Sequence, residues 1–313
     1  MLSIIIPTYN YDCTRLVSEL QKQCEEMQAM YGNFKYEILV GDDNSTDAGI
    51  AAHNAVIEFL PCCQYLMYGD NVGRALHRNR IIRESRYPWV LVIDADAEVV
   101  SDDFILNYWQ AAEASPAYDI FVGGLTTPLS VAPGCELRHR YELAVQSRRT
   151  LEMRRRVPSD CFSTFNFMAS RSVLESVGFD TRCTDYGYED ALFGIEAEQQ
   201  GFRILHIDNP LQHNGINPSA AFLSNSETAL RTLMALGPPM TERARVARMA
   251  KKMERKHLAP LVRCAFHILH PLLRSHLLSR HPSLKVFAFY KLGFYLTLLK
   301  AGPEKASAAH SVS

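Results

Sequence analysis

Two acids one residue apart, Asp94 and Asp96, close the apolar run "WVLVI" at residues 89–93. Paired carboxylates at such a place have two physical readings. Turns favour Asp, so the pair can be a solvated surface turn. Carboxylate oxygens gathered at the edge of a sheet can instead hold a divalent cation. Polar groups follow other apolar runs as well: Thr8, Tyr9 and Asn10 after "SIIIP", and Asp42 and Asp43 after "EILV" and Gly41. A further acidic pair, Glu189 and Asp190, opens a helical stretch, where the helix dipole favours acids. His213 stands past a late apolar run, "FRILHI", while His206 inside that run reads as structural.

The elements that must position these groups are legible in the first half. Short apolar runs at 2–6, 36–40, 65–68, 89–93 and 120–122 alternate with helical patterns at 14–30 and 73–84. This β-α-β rhythm predicts an α/β fold with a mostly parallel central sheet flanked by helices. Ligands of such sheets bind outside the carboxyl ends of the strands, where three polar strand ends already meet. Beyond Gly123 the pattern loosens: a basic helical stretch at 136–156, a helix at 191–200, the strand "FRILHI" and a polar loop ending near His213. The last third reads as amphipathic helices. The expected division is a catalytic domain at 1–217 and a basic helical extension at 218–313.

An apolar share of 47%, a charged share of 21% and a net charge of -1 describe an ordinary globular chain. Disorder is expected only in the Ser/Ala-rich tail after Pro303. The near-zero charge hides an asymmetry: residues 241–313 carry 14 basic and 3 acidic residues, a net of +11, and the remainder is -12. That tail, with the run "KVFAFYKLGFYLTLL" at 285–299, suits helices lying in an anionic membrane interface. A helical subdomain or an oligomer contact is the competing reading. His267 and His270, without nearby acids, read as part of a basic face. No stretch is long and apolar enough to span a bilayer. The eight scattered cysteines form neither a zinc pattern nor a disulfide framework. A reduced, cytoplasmic location is expected, with peripheral attachment to the inner face of the cell membrane as its extension. Nucleic acid is not expected as a partner.

Taken in order, "SIIIPTYN", "VGDDNSTD" at 40–47, "NVGRALHRN" at 71–79, "DAD" at 94–96, "GFD" at 178–180 and "GYEDALFGIEAEQQGFRI" at 187–204 resemble family 2 glycosyltransferases of the GT-A fold. The resemblance covers residues 2 to about 215; His77 departs from the usual Ala and is expected to matter little. It implies a nucleotide-sugar site made by Pro7, Thr8, Tyr9, Asn10, Asp42, Asp43, Gly73, Arg74, Arg78, Asp94, Ala95 and Asp96. Asp42 or Asp43 could accept the uracil N–H, while Ser45, Thr46 and Asp47 cap the next helix. Tyr9 lines the base pocket or simply packs. Arg74 or Arg78 reaches the base or phosphates, or is a solvated helix arginine. The resemblance also implies that Asp94, Asp96 and His213 hold Mn2+ or Mg2+, and that Asp190, beside Glu189, is the catalytic base, with Asp185 as its rival.

The activity so implied is inverting, metal-dependent hexosyl transfer from a nucleotide sugar, by preference UDP-linked. The acceptor would be a hydroxyl of a glycan or lipid-linked glycan in cell-surface polysaccharide synthesis. Two alternatives stand beside it. "VLVIDADAEV" mimics a Mg2+-dependent phosphohydrolase of the haloacid dehalogenase type, although that family wants Thr or Val where this chain has Glu98. A catalytically silent nucleotide-sugar-binding scaffold is the other. The donor sugar, acceptor and linkage depend on the region 125–167.

Overall fold

The computed structural model describes residues 1–181 and 187–302; Asp185 and the tail after Pro303 lie outside the described residues. The strands are β1 (Leu2–Thr8), β2 (Tyr36–Asp42), β3 (Cys63–Met67), β4 (Trp89–Ile93), β5 (Ala97–Glu98), β6 (Ile120–Val122), β7 (Leu125–Thr126), β8 (Asn166–Ser170), β9 (Ile204–His206) and β10 (Leu211–His213). Helices α1 (Thr14–Met30), α2 (Ala48–Asn54), α3 (Arg74–Glu84), α4 (Phe104–Ala114), α5 (Glu136–Gln146), α6 (Leu151–Arg156), α7 (Arg171–Val177) and α8 (Glu189–Gln199) lie between them. Five more follow: α9 (Ser219–Leu236), α10 (Met240–Arg243), α11 (Arg245–Arg255), α12 (Ala259–Leu277) and α13 (Leu284–Ala301).

Seven strands form one sheet in the order β3-β2-β1-β4-β8-β6-β9. All neighbours run parallel except β8, which is antiparallel to both β4 and β6. The register pairs Ile4 with Ile38 on one side and Leu91 on the other, so β1 is central. Strands buried on both faces read as near-continuous apolar runs, which is what "LSIII", interrupted only by Ser3, and "WVLVI" are. Alternate side chains serve opposite faces. Ile4, Ile38 and Leu91 pack with Leu16 and Leu20 of α1 and Phe104 of α4. Ile5, Leu39 and Val92 pack with Ile81 of α3, Leu174 of α7 and Phe193 of α8. A small second sheet, β5-β10-β7, pairs His213 with Ala97 immediately after the D-x-D turn.

The described residues divide into two compact units. One holds 1–128, 148–181 and 189–215; the other holds 129–147, 187, 188 and 216–302. The helical unit thus takes α5 from within the stretch expected to be catalytic. The basic stretch at 136–156 is two helices, α5 and α6, rather than one.

The helical unit has its own core of Leu137, Phe222, Leu223, Phe266, Leu277, Phe287 and Tyr290. Its centre is α13, the "KVFAFYKLGFYLTLL" segment expected at a membrane interface. Phe287 and Tyr290 are buried, and Gly293 lets Phe266 come so close that a Cβ there would meet its ring at 2.5 Å. A helix that is apolar all round belongs inside a core, which is where this one lies. His270 packs in the same place, its Nε2 at 3.2 Å from the Tyr290 hydroxyl. Among the described residues no helix is long and apolar enough to cross a membrane.

Candidate active site

The site grows from the end of β4. The Asp94 N–H donates to the Phe165 carbonyl (3.1 Å), and the Ala97 N–H donates back to the Asp94 carbonyl (3.1 Å), closing the D-x-D turn. Asp94 Oδ1 accepts from Arg78 Nη2 at 2.7 Å. Burial pushes the Asp94 carboxyl up, and Arg78 opposes that shift. The Arg78 side chain is only 4% exposed. Its Nε and Nη1 have no hydrogen-bond partner among the described residues. Burial would weaken this guanidinium's hold on its proton, but the charges of Asp94, Asp190 and Glu189 outweigh burial and raise its pKa.

Asp96 faces His213, with Oδ2 and Nε2 3.2 Å apart. Burial would raise the Asp96 carboxyl, but the hydrogen bond and charge of His213 outweigh it and hold it low. Gly215 is the reason the loop can lie so close. A Cβ there would sit 1.8 Å from Asp96 Oδ2, so any other residue would displace the carboxylate. The Asn214 N–H donates to the Asp96 carbonyl (2.9 Å), and its amide reaches Glu98 (2.7 Å).

Could these residues hold a cation? Ligands about 2.1 Å from an octahedral ion are about 3 Å from one another, close to the Asp96–His213 separation. One carboxylate oxygen and one imidazole nitrogen also make a chemically suitable donor pair for Mn2+. Asp94 is turned to Arg78 instead, and no group of three His, Cys, Asp or Glu gathers among the described residues. The fit therefore rests on two protein donors, with the remaining positions open to oxygens of a bound ligand.

On the other side of Arg78 stands the start of α8. Asp190 accepts from the Thr164 hydroxyl (2.7 Å) and the Ser163 hydroxyl (3.4 Å). Glu189 is buried, and burial together with the neighbouring Asp190 raises its pKa. Arg74, one turn before Arg78 on α3, approaches Glu189 at 3.9 Å with an exposed side chain. Antiparallel β8 explains the presence of Ser163 and Thr164. Its first residue, Asn166, pairs with Ile93, so the residues just before it arrive at the end where parallel β4 finishes.

The remaining predicted residues line the loops at the ends of β1 and β2. Asp42 is buried, accepting from the Tyr65 hydroxyl and from the Ser45 N–H (2.6 Å). Asp43 accepts from the N–H groups of Val72 (3.1 Å) and Gly73 (3.0 Å), clamping the entry to α3. Gly73 has φ +81°, which a side chain would resist. Asn10, at φ 50°, stitches two loops: its N–H donates to Ser45, its amide donates to Thr46, and it accepts from the Asp47 N–H. Asp47 caps α2 through Gly49 and Ile50, so Ser45 and Thr46 serve Asn10 rather than the helix. Thr8 is buried and donates to the Tyr11 carbonyl (3.0 Å), Pro7 is half-buried, and Tyr9 is exposed. Ala95 lines a small open cleft of about 120 Å³ with Tyr11, Arg15, Glu98 and Asn214. His77 matters more than expected: it is buried, bonds to the Gly41 carbonyl at 2.9 Å and lies 3.4 Å from Asp43. His206 is structural as expected, donating from Nε2 to the Pro158 carbonyl.

Sequence reasoning missed Ser163, Thr164 and Gly215. The only signal was the small and polar residues beside "FNFMAS" and His213.

The glycosyl transferase family 2 model matches residues 3–178. A search of curated proteins found no match. Among solved structures, the chain is similar to mannosyltransferase PcManGT from Pyrobaculum calidifontis, in complex with GDP-Man and Mn2+. The TM-score is 0.53 at 15% identity, covering 98% of this chain and 86% of that one. Glucosyl-3-phosphoglycerate synthase from Mycobacterium tuberculosis, with Mn2+, UDP and glucosyl-3-phosphoglycerate, gives 0.50 at 15%, covering 75% and 79%. Mannosyl-3-phosphoglycerate synthase from Rubrobacter xylanophilus gives 0.50 at 15%, covering 78% and 76%. At such identities the likeness is one of fold, and it is the GT-A fold. The family match spans more than half of the 313 residues, and the sheet it covers ends in the acids described above, so the chain belongs to glycosyl transferase family 2.

Proposed function

We propose that the chain is an inverting glycosyltransferase that moves a sugar from a UDP-linked donor to a hydroxyl of a glycan or lipid-linked glycan, in cell-surface polysaccharide synthesis. The observation that carries the reading is the grouping of Asp94, Glu189 and Asp190 around the charge of buried Arg78, next to the Asp96–His213 pair. Two nitrogens of a buried guanidinium, Nε and Nη1, without hydrogen-bond partners among the described residues, suit the oxygens of a diphosphate. Asp96 and His213 would hold Mn2+ or Mg2+. When bound, that ion would neutralise charge developing on the leaving diphosphate. Arg74, exposed beside Glu189, adds a second cation at the mouth.

Transfer with inversion needs a base on the face opposite the leaving group. Asp190 is that base. Its carboxylate is oriented by Thr164 and Ser163 and takes the proton from the acceptor hydroxyl as that oxygen attacks the anomeric carbon. Burial and the neighbouring Asp190 push the Glu189 carboxyl up, which suits it less than Asp190 to the role of base. Asp42 and Asp43 are committed to the protein's own donors, which suits loop-building beneath a base pocket more than direct reading of a uracil. The phosphohydrolase alternative is the weaker reading: the family model spans 3–178, and four strands precede the D-x-D turn instead of the turn following the domain's first strand.

The test is thermal stabilisation by a panel of UDP- and GDP-sugars with Mn2+ or with EDTA. A UDP-sugar should raise the melting temperature only with metal. Asp96→Ala should remove most of that shift and His213→Ala a smaller part. Donor binding untouched by EDTA and by Asp96→Ala would sink the metal assignment.

A further inference from the structure

The helical unit carries an apolar surface that its own core leaves uncovered. On α12, Leu261, Ile268 and Leu272 are 67%, 71% and 69% exposed. With exposed Cys264 they fall at i, i+3, i+7 and i+11, one face of a helix. The opposite face buries Ala259, Phe266 and Leu277. The ridge is about 16 Å long at 1.5 Å per residue. No Asp or Glu occurs anywhere in α12, whose basic residues are Arg263, His267, His270, Arg274 and His276.

The neighbouring α11 is the other half of the surface. Arg245, Arg248, Lys251, Lys252 and Arg255, with Lys256 just beyond, are all exposed. From 244 to 281 the chain holds 9 Lys+Arg and 1 Asp+Glu, a net of 9 − 1 = +8.

We infer that α11 and α12 form a membrane-binding face, with the α12 ridge inserted at the headgroup boundary of an anionic bilayer and the α11 cations on lipid phosphates. Charge selects this occupant. A second copy would bring the same positive field against itself. A single ridge also falls short of the roughly 800 Å² per partner that a stable interface needs. A soluble polyanion would use α11 but leave four outward apolar residues unexplained. An anionic bilayer takes both, since an interfacial helix couples an apolar stripe to basic flanks and lies on the surface rather than crossing it. The inference places the contact on α12, not on buried α13, and it stands apart from the donor chemistry.

The full chain should sediment with vesicles of phosphatidylcholine mixed with phosphatidylglycerol at low salt, less so at high salt, and weakly with phosphatidylcholine alone. Replacing the ridge, L261E/I268E/L272E, should weaken binding about tenfold or more. Removing charge from α11, K251A/K252A/K256A, should weaken it about a hundredfold and flatten the salt dependence, each cation near an anionic surface being worth about fivefold. These side chains are exposed, so the melting temperature should hold, and donor hydrolysis by the variants should stay at the wild-type rate. That second readout separates failure here from failure of the catalytic proposal. Absence of wild-type sedimentation at low salt overturns the inference, as does a ridge variant that binds as well as wild type. Light scattering that finds a dimer abolished by the ridge variant would assign the face to a second copy.

Discussion

The two units handle charge differently. In the α/β unit, a set of acids is turned inward and carries partners, while charged groups such as Arg15 and Glu26 stay exposed. Glu37 accepts from Ser3 and Arg86, Asp43 from Val72 and Gly73, Asp94 from Arg78, and Asp190 from Thr164. In the helical unit, six cations of the α11 segment are exposed and the core is aromatic, Phe222, Phe266, Phe287 and Tyr290. Removing charge from water is costly unless it is paired, so buried acids need a structural or chemical return. Exposed cations carry no such cost and are available to an outside partner. A net charge of -1 for the whole chain is therefore the sum of two unlike surfaces.

The comparison breaks first at Asp190. Asp190→Asn should slow transfer by roughly 10²–10⁴-fold while donor binding survives. The same change costs only about 0.3–1 kcal/mol if Asp190 merely complements the helix dipole. A folded variant that transfers sugar near the wild-type rate returns Asp190 to that role. Arg78→Met should come next, at about 3–5 kcal/mol of stability, because it strands buried Glu189 and half-buried Asp94 and Asp190 without their buried cation. Denaturant unfolding measures it, and a loss near zero would mean that Asp94, Glu189 and Asp190 do not depend on Arg78. Phe287→Ala should cost about 3–5 kcal/mol as a core truncation, which would show that the helical unit owns a packed core.

A smaller effect is a pH slope at His206. Burial lowers its pKa from 6.5 to about 4, with Arg154 beside Nδ1. A base whose folded pKa is lowered binds fewer protons folded than unfolded between those values, so stability rises with pH there. The contribution is complete above about pH 6.5 and falls as pH drops toward 4, by up to about 3 kcal/mol at 1.36 kcal/mol per unit. His206→Gln should flatten that part of the unfolding profile relative to wild type; an unchanged slope would show that His206 titrates normally. Smallest of all, Ile268→Ser on the exposed ridge should change stability by no more than about 0.5 kcal/mol. A loss near that of Phe287→Ala would mean the ridge is covered.

Local order in the chain determined a good deal. The near-continuous apolar runs specified β1, β2 and β4 as buried strands, and the apolar spacing of 14–30 set α1. Family motifs in sequence order located the acids at strand ends, since a strand end and the turn after it are neighbours in the chain. What the acids do was decided by tertiary packing. Asp42 and Asp43, adjacent and alike, bind different donors because β3 brings Tyr65 to one and α3 brings Gly73 to the other. Reversed β8 carries Ser163 and Thr164 to Asp190, and no local pattern encodes which strand lies antiparallel between β4 and β6. The same holds for the tail. Composition said that it was basic and apolar, but only packing chose to bury α13 and expose α12. Burial is a competition among apolar surfaces for one core, and its outcome depends on every helix present rather than on any one of them.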